Sequence, residues 1–228
     1  MKTKIEPHNL RSVLLSVGAS ESELSLNAKC GADVLCIDLE DTVTEKQAAR
    51  GLAAAFHQSV YSGLRGLRIN PLSEEDGLRD LLMIREASWK TDVVVMTMVR
   101  DPYEVRMVDE LLPPSCRIIA LIETAEAVAN AVQIARTSSR LAALMFGGKD
   151  LAYSLGSARS NDALDFSRGQ MIVAAAAGGI KALDENYRPL DDLDGLAAAS
   201  RRVRAMGYVG RLTVDARHVP IINAAFSE

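Results

Sequence analysis

The sequence predicts an α/β protein folded as a closed (β/α)8 TIM barrel. Two observations carry that expectation. A short apolar run, a polar residue at its end and a helix recur eight times in strict alternation, a pattern that builds a parallel sheet with right-handed crossovers. The chain has 228 residues, a length at which eight such units favour a closed barrel over a doubly wound sheet, the alternative architecture. No linker or low-complexity stretch interrupts the pattern. One barrel domain over residues 1–228, with residues 1–11 as an N-terminal tail, is therefore expected.

The first strand, Val13-Leu-Leu-Ser-Val17, stops at Gly18, and Ser20-Glu-Ser-Glu23 reads as a capping box for a helix to about Lys29. The second, Asp33–Ile37, ends in Asp38-Leu-Glu-Asp41, and Thr44-Glu-Lys-Gln47 is another capping box opening a helix towards Tyr61. The third, Gly66–Ile69, is stopped by Asn70-Pro71 before a helix from about Glu74 to Ser88. The fourth, Asp92–Met98, is apolar enough to be buried on both faces. Asp101-Pro102 then supplies an N-cap and an N1 proline for a helix to about Leu112. The fifth, Arg117–Ile122, ends in Glu123-Thr124 before an Ala-rich helix. The sixth, Leu141–Phe146, ends in Gly147-Gly-Lys-Asp150, followed by an insertion and a helix around Ser167–Ala177. The seventh, Ile180–Leu183, ends in Asp184-Glu185 and leads to a helix over Leu193–Met206. The eighth, Arg211–Val214, ends at Asp215 before a final short helix.

Composition narrows the function classes. Lys plus Arg is 26 against 30 Asp plus Glu, a net charge of −4, which argues against nucleic acid as the main partner. With 25 % charged and 48 % hydrophobic residues, the chain is not disordered. Its longest apolar stretch, Met171–Ile180, is too short to span a bilayer. The N-terminal MKTKIEPHNLRS has no apolar h-region. Cys30, Cys36 and Cys116 show no C-x-x-C spacing and read as buried small hydrophobes in a reducing, cytoplasmic setting. Neither G-x-G-x-x-G after the first strand nor G-x-x-x-x-G-K-[ST] occurs. A small-molecule partner remains.

In a barrel, chemistry collects where the carboxyl ends of the strands meet. Here those ends carry Asp38, Glu40, Asp41, Arg68, Asn70, Arg100, Glu123, Asp150, Asp184 and Asp215. Carboxylates dominate, and His8, His57 and His218 are too few and scattered for a His-rich metal site. Acidic oxygens beside an arginine suit a hard cation, Mg2+ or alternatively Mn2+, holding an anionic substrate. Glu123 and Asp150 end neighbouring strands, so their oxygens either share one ion or cap the helices that follow. Arg68 sits inside an apolar run and needs a partner: a substrate carboxylate or enolate, an ion pair with Asp38 or Glu40, or both. Gly147 and Gly148 allow close backbone approach to a ligand or simply form a tight turn. Trp89 ends a helix and reads as packing. Lys149 and Lys181 are candidate Schiff-base nucleophiles, although Asp150 beside Lys149 favours its charged form.

Four motifs in order, Asp38-Leu-Glu-Asp41, Arg68-Ile-Asn-Pro71, Ala120-Leu-Ile-Glu-Thr-Ala125 and Phe146-Gly-Gly-Lys-Asp-Leu151, resemble the HpcH/HpaI aldolase and citrate lyase β-subunit (CitE-like) superfamily. Ala182-Leu-Asp184 and Leu190-Asp-Asp-Leu-Asp-Gly-Leu196 extend the resemblance, which covers about residues 11–226. It implies a TIM barrel of phosphoenolpyruvate/pyruvate-domain type that cleaves or forms C–C bonds beside a carbonyl. The expected substrates are citryl-, malyl- or citramalyl-CoA or a related hydroxy or keto acid. It implies Glu123 and Asp150 as Mg2+ ligands, Arg68 as the arginine that binds substrate oxygens and steadies an enolate, and Asp38 and Glu40 as its supporting acids. Assembly as a trimer or hexamer is implied too. This chain departs from the pattern in places. Val17-Gly18 stands for Pro-Gly, Met96-Thr-Met-Val-Arg100 for Leu-Pro-Lys-Val-Glu, and Val214-Asp-Ala216 for Ile-His-Pro. Met98 and Arg100 thus replace a lysine and an acid at the mouth. The chain stops soon after Asn223-Ala-Ala-Phe226, so a short member without the usual C-terminal lid is expected. That leaves a non-catalytic metabolite-binding or complex-forming barrel as the alternative.

Overall fold

The computed structural model describes residues 10–16, 20–41, 45–59, 61–158 and 161–227. Eight parallel strands close in sequence order into one barrel, β1 pairing with both β2 and β8. They are β1 (Ser12–Ser16), β2 (Val34–Asp38), β3 (Leu64–Ile69), β4 (Val93–Met96), β5 (Arg117–Ile122), β6 (Leu141–Phe146), β7 (Lys181–Asp184) and β8 (Gly210–Thr213). The helices between them are α1 (Glu21–Asn27), α2 (Lys46–Gln58), α3 (Glu75–Glu86), α4 (Pro102–Leu111), α5 (Ala125–Ala135), α6 (Gly148–Ser154), α7 (Asn161–Gly178) and α8 (Leu193–Met206). A 3-10 turn (Ala216–His218) and α9 (Val219–Ala225) follow β8. The TIM barrel replaces the doubly wound alternative because β8 closes on β1.

Side-chain parity sorts each strand into two layers. Val13 and Leu15, Val34 and Cys36, Val93 and Val95, Ile119 and Leu121, and Leu183 fill the barrel interior. Leu14, Leu35, Ile37, Leu67, Ile69, Val94, Met96, Ile122 and Phe146 pack outward against the helices. Each fully buried side chain of this kind contributes about 1.5–3 kcal/mol. The same parity sends Asp38, Arg68 and Glu123 inward, where the strands open at the carboxyl end.

Caps match local chemistry. Ser20 accepts from the Glu23 N–H, Asp101 from Tyr103 and Glu104, and Thr124 from Ala127. Val17, Gly18 and Thr44 lie outside the described residues. Glu45, at the N-cap of α2, makes no side-chain capping bond, and α2 ends at Gln58 rather than near Tyr61. β4 ends at Met96, earlier than the apolar run suggests, because Met98 turns into the left-handed region at φ +49°. Cys36 and Cys116 are buried, whereas Cys30 is half-buried. Trp89 packs on the His57 ring with centroids 4.7 Å apart. Among the described residues no helix is long and apolar enough to cross a membrane.

Candidate active site

The mouth encloses a cavity of about 250 Å3 lined by Arg68, Glu123, Gly147, Gly148, Lys149, Asp150 and Glu185, with Asp41, Asn186 and Arg188 at its edge. Its two sides are built differently.

On one side, β2 and β3 bring Asp38 and Arg68 together as direct cross-strand partners. Both point inward, so the guanidinium meets the carboxylate fork to fork: Nε donates to Oδ1 at 2.7 Å and Nη2 to Oδ2 at 2.8 Å. Nη1 lies 2.9 Å from Glu40 Oε2. Arg68 is therefore ion-paired with both acids and also lines the cavity, so its two expected roles are compatible. Its remaining N–H donors stay available to a ligand. Burial pushes the Glu40 carboxyl up to about 7, Arg68 opposing the shift and Asp41 and Asp38 adding to it. Behind this group, Lys46 Nζ donates to the carbonyls of Leu39 (3.0 Å) and Glu40 (2.6 Å) and to Asn70 Oδ1 (2.9 Å). Asn70 Nδ2 donates to Asp80, which also accepts from Arg50 Nε at 2.8 Å.

On the other side, Glu123 follows β5 and is buried. Among the described residues the Met98 backbone N–H is the donor that reaches it, at 2.7 Å to Oε1, and no lysine or arginine forms an ion pair with it. The left-handed conformation of Met98, costing of order 1–3 kcal/mol for a non-glycine residue, aims that N–H. Burial pushes the Glu123 carboxyl up to about 7. The Met98 bond and Arg68 pull it down, while Asp150 and Glu40 push it further up. Asp150 lies in the first turn of α6 rather than at a bare strand end, and is half-exposed.

Gly147 and Gly148 hold α6 against these acids. A Cβ on Gly147 would fall 2.5 Å from Glu123 Cβ, and one on Gly148 2.3 Å from Glu185 Oε1. The backbone at both glycines thus comes close to these carboxylates. Two carboxylates, one of them buried without a cation, form an all-oxygen donor set suited to a hard divalent ion. Among the described residues no group of three or more His, Cys, Asp or Glu side chains converges to hold a metal. Further coordination positions would thus fall to water and substrate, the manner in which Mg2+ is commonly held.

Other expected mouth residues lie elsewhere. Asp184 points outward from β7 into ion pairs with Arg168 and Arg211. Leu183 faces the interior, so Glu185 shares its face and lines the cavity; the parity of the strand was the missed signal. Asp215 caps the 3-10 turn and pairs with Arg217. His218 is buried against Thr213 and Leu190. Asn70 is buried behind the Arg68 pair, and Arg100 is a surface residue paired with Glu104 at 3.1 Å. Lys181 opens β7, at the end of the strand remote from the mouth. Lys149 is exposed and 3.7 Å from Asp150, which is not the desolvated setting that activates a Schiff-base lysine.

Residues 11–216 match the family model described as HpcH/HpaI aldolase/citrate lyase. A (3S)-malyl-CoA thioesterase of Cereibacter sphaeroides is 33 % identical over 97 % of this chain and 79 % of its own length. Citrate lyase subunit beta of Haemophilus influenzae is 29 % identical over 95 % of this chain and 79 % of its own. Among solved structures, RipC from Yersinia pestis superposes with a TM-score of 0.85 at 27 % identity, covering 98 % of this chain and 97 % of that one. CitE from Mycobacterium tuberculosis in complex with magnesium, acetoacetate and coenzyme A gives 0.83 at 25 % identity, covering 96 % and 81 %.

Proposed function

This chain belongs to the HpcH/HpaI aldolase/citrate lyase family, and we propose that it is a Mg2+-dependent carbon–carbon lyase acting on a citryl-, malyl- or citramalyl-CoA-like thioester. The observation that carries the proposal is the pairing of a buried, cation-free Glu123 with Asp150, across one small cavity from an arginine already oriented by two carboxylates. The relative crystallised with magnesium, acetoacetate and coenzyme A supports the same ion and substrate class.

Glu123 and Asp150 would hold the ion. When bound, Mg2+ supplies Lewis-acid polarisation of the substrate oxygens. Arg68, fixed by Asp38 and Glu40, presents its remaining donors to the oxygen that gains negative charge as the C–C bond breaks. A preoriented donor of this kind stabilises an enolate without reorganisation. Gly147 and Gly148 let the backbone close over the reacting atoms.

The test is product analysis with the three thioesters. Mg2+ should yield an acyl-CoA and a keto acid, and chelation with EDTA should stop the reaction. The resemblance to a malyl-CoA thioesterase favours one second reading, thioester hydrolysis. Free coenzyme A with an intact hydroxy acid would establish it instead. Ligand-induced stabilisation without turnover would leave a binding barrel. The proposal extends to a cytoplasmic, single-domain homo-oligomer of three or six copies. The apolar face of Val132, Phe166 and Val173 on α5 and α7 supports assembly, and sedimentation measures it.

A further inference from the structure

Three neighbouring strands carry one interior layer of the barrel up into the mouth. Leu121, Met145 and Leu183 are register partners across β5, β6 and β7 and point into the barrel. Two residues further on, the same side of each strand end carries Glu123, Gly147 and Glu185, and all three line the mouth cavity. Gly147 puts no side chain between the two carboxylates. Two strand spacings separate their backbones, about 10 Å. A small acid seated over Gly147 therefore has Glu123 on one flank and Glu185 on the other.

In the lyase reading Glu123 serves the ion, whereas Glu185 has no task. Its carboxylate is nevertheless firmly held. Arg168 Nη2 donates to Glu185 Oε1 at 2.7 Å. Arg168 is itself fixed by Asp184 at 3.2 Å, by Asp165 at 3.4 Å and by the Phe146 ring, whose centroid is 4.5 Å from the guanidinium carbon. Asp184 and Asp165 already answer the arginine's charge from outside the mouth, and Glu185 is the acid of this cluster that lines the cavity. An arginine partner keeps a carboxylate ionised, the form that accepts a proton. A carboxylate accepts at about four lone-pair positions, so the Arg168 bond orients Glu185 without exhausting it as an acceptor. A proton acceptor at the reacting atoms, oriented in turn by a third group, is the arrangement of a general base. Of the other carboxylates lining the mouth, Glu123 and Asp150 are the proposed metal ligands and Asp41 is exposed at the edge.

We infer that Glu185 is a catalytic residue, the general base that takes the proton of the substrate's hydroxyl group. The inference rests on the carbon–carbon lyase reading above. As the proton passes to a Glu185 oxygen, the O–H electron pair forms the new carbonyl bond. The C–C bond breaks, and its electron pair stays on the acyl fragment as the enolate that Arg68 stabilises. Water then protonates the enolate carbon, and Glu185 returns its proton to the hydroxide left behind. The protons balance, and no co-reactant is consumed.

The test is steady-state cleavage of malyl-CoA and citramalyl-CoA by the Mg2+-loaded full chain, with Mg2+ calorimetry and a thermal melt of each variant. Glu185→Gln keeps an acceptor for Arg168 but removes the base. It should lower kcat by about 10²- to 10⁴-fold, with KM little changed and Mg2+ affinity at the wild-type value. Glu185→Ala should lose activity similarly, and added formate, a free carboxylate, should restore part of its kcat in a saturable way. If Glu185→Ala folds poorly, Glu185→Gln decides alone. A folded Glu185→Ala that ignores formate would make the side chain a brace for Arg168 and overturn the inference. Wild-type kcat in Glu185→Gln, with the loss appearing in Asp41→Asn instead, would move the base to Asp41 and leave the lyase reading intact. Loss of Mg2+ binding in Glu185→Gln would overturn the inference by making Glu185 a metal ligand. A wild type that cleaves neither thioesters nor free hydroxy acids would overturn the lyase reading and the base with it.

Discussion

On the β2–β3 side of the mouth the chain answers its own charges. Asp38, Arg68 and Glu40 pair with one another, and Lys46, Asn70, Asp80 and Arg50 brace the loop behind them. On the β5–β6 side, Glu123 receives one backbone N–H from Met98, and Asp150 stands half in solvent. The first side is a guanidinium preoriented by two carboxylates, with donors left for a ligand, although burial raises its Glu40 to about 7 as it does Glu123. The second is a buried carboxylate with no ion-pair partner among the described residues, the arrangement that the proposed metal role would use. Burial pushes the Glu123 carboxyl up to about 7, so its charged form costs stability at neutral pH.

The largest effects should come from the incomplete side. Glu123→Gln and Asp150→Asn should each lower kcat by about 10³-fold or more, as expected for loss of the electrostatic centre. Calorimetry should then find Mg2+ binding lost. Glu123→Gln should leave the ion-free protein at least as stable as the wild type in a thermal melt, because it removes a buried charge and keeps an acceptor for Met98. A strongly destabilised Glu123→Gln would mean that both sides are structural.

Next comes Arg68. Arg68→Met strands the fully buried Asp38 carboxylate and should cost about 3–5 kcal/mol in urea unfolding. Arg68→Lys keeps the charge but loses the fork, and should cut kcat about 10²-fold while Mg2+ affinity holds. The contrast with Glu123→Gln would sharpen the division between a braced side and an open one.

Smaller effects separate the two glycines. In Gly147→Ala the new methyl meets Glu123 Cβ at 2.5 Å. It should cost about 1–3 kcal/mol by overpacking and weaken Mg2+ binding. Gly148→Ala meets Glu185 Oε1 at 2.3 Å and the buried Phe146 ring at 2.9 Å and should cost a similar amount, but with Mg2+ affinity nearer wild type.

A further effect, on stability alone, lies far from the mouth. His57 is buried beside Trp89 and its ring is held down to about 4 by desolvation, the Ala53 carbonyl opposing the shift. Its folded value lies below the unfolded one of 6.5. The unfolded chain therefore binds the extra proton, and stability falls as pH drops from about 6.5 to about 4. The loss should be on the order of 2–3 kcal/mol. Urea unfolding of His57→Phe across that range should lack this part of the acid limb.

Much of this was written locally in the chain. Eight alternating units, the N-caps at Ser20, Asp101 and Thr124, and the inward parity of Asp38, Arg68 and Glu123 need only neighbouring residues to be read. The assignments that failed were also failures of parity or position. Asp184 and Asp215 carry the right chemistry one residue away from the inward face, and Lys181 sits at the wrong end of its strand; Asp150 does line the cavity, but from the first turn of α6 rather than from a strand end. Lys46 looks like a helix-opening residue until its ammonium is seen on two carbonyls and Asn70.

Periodicity and residue type thus specify the barrel and the stock of carboxylates and arginines it can display, because strand alternation and helix caps operate over a few residues. Closure of the barrel settles which of them meet. It sets Asp38 opposite Arg68 across a strand pair, leaves Glu123 without an ion pair among the described residues and gives Glu185 rather than Asp184 to the mouth. Those outcomes depend on distances between segments far apart in sequence and on the water excluded between them, and neither quantity exists until the eighth strand pairs with the first.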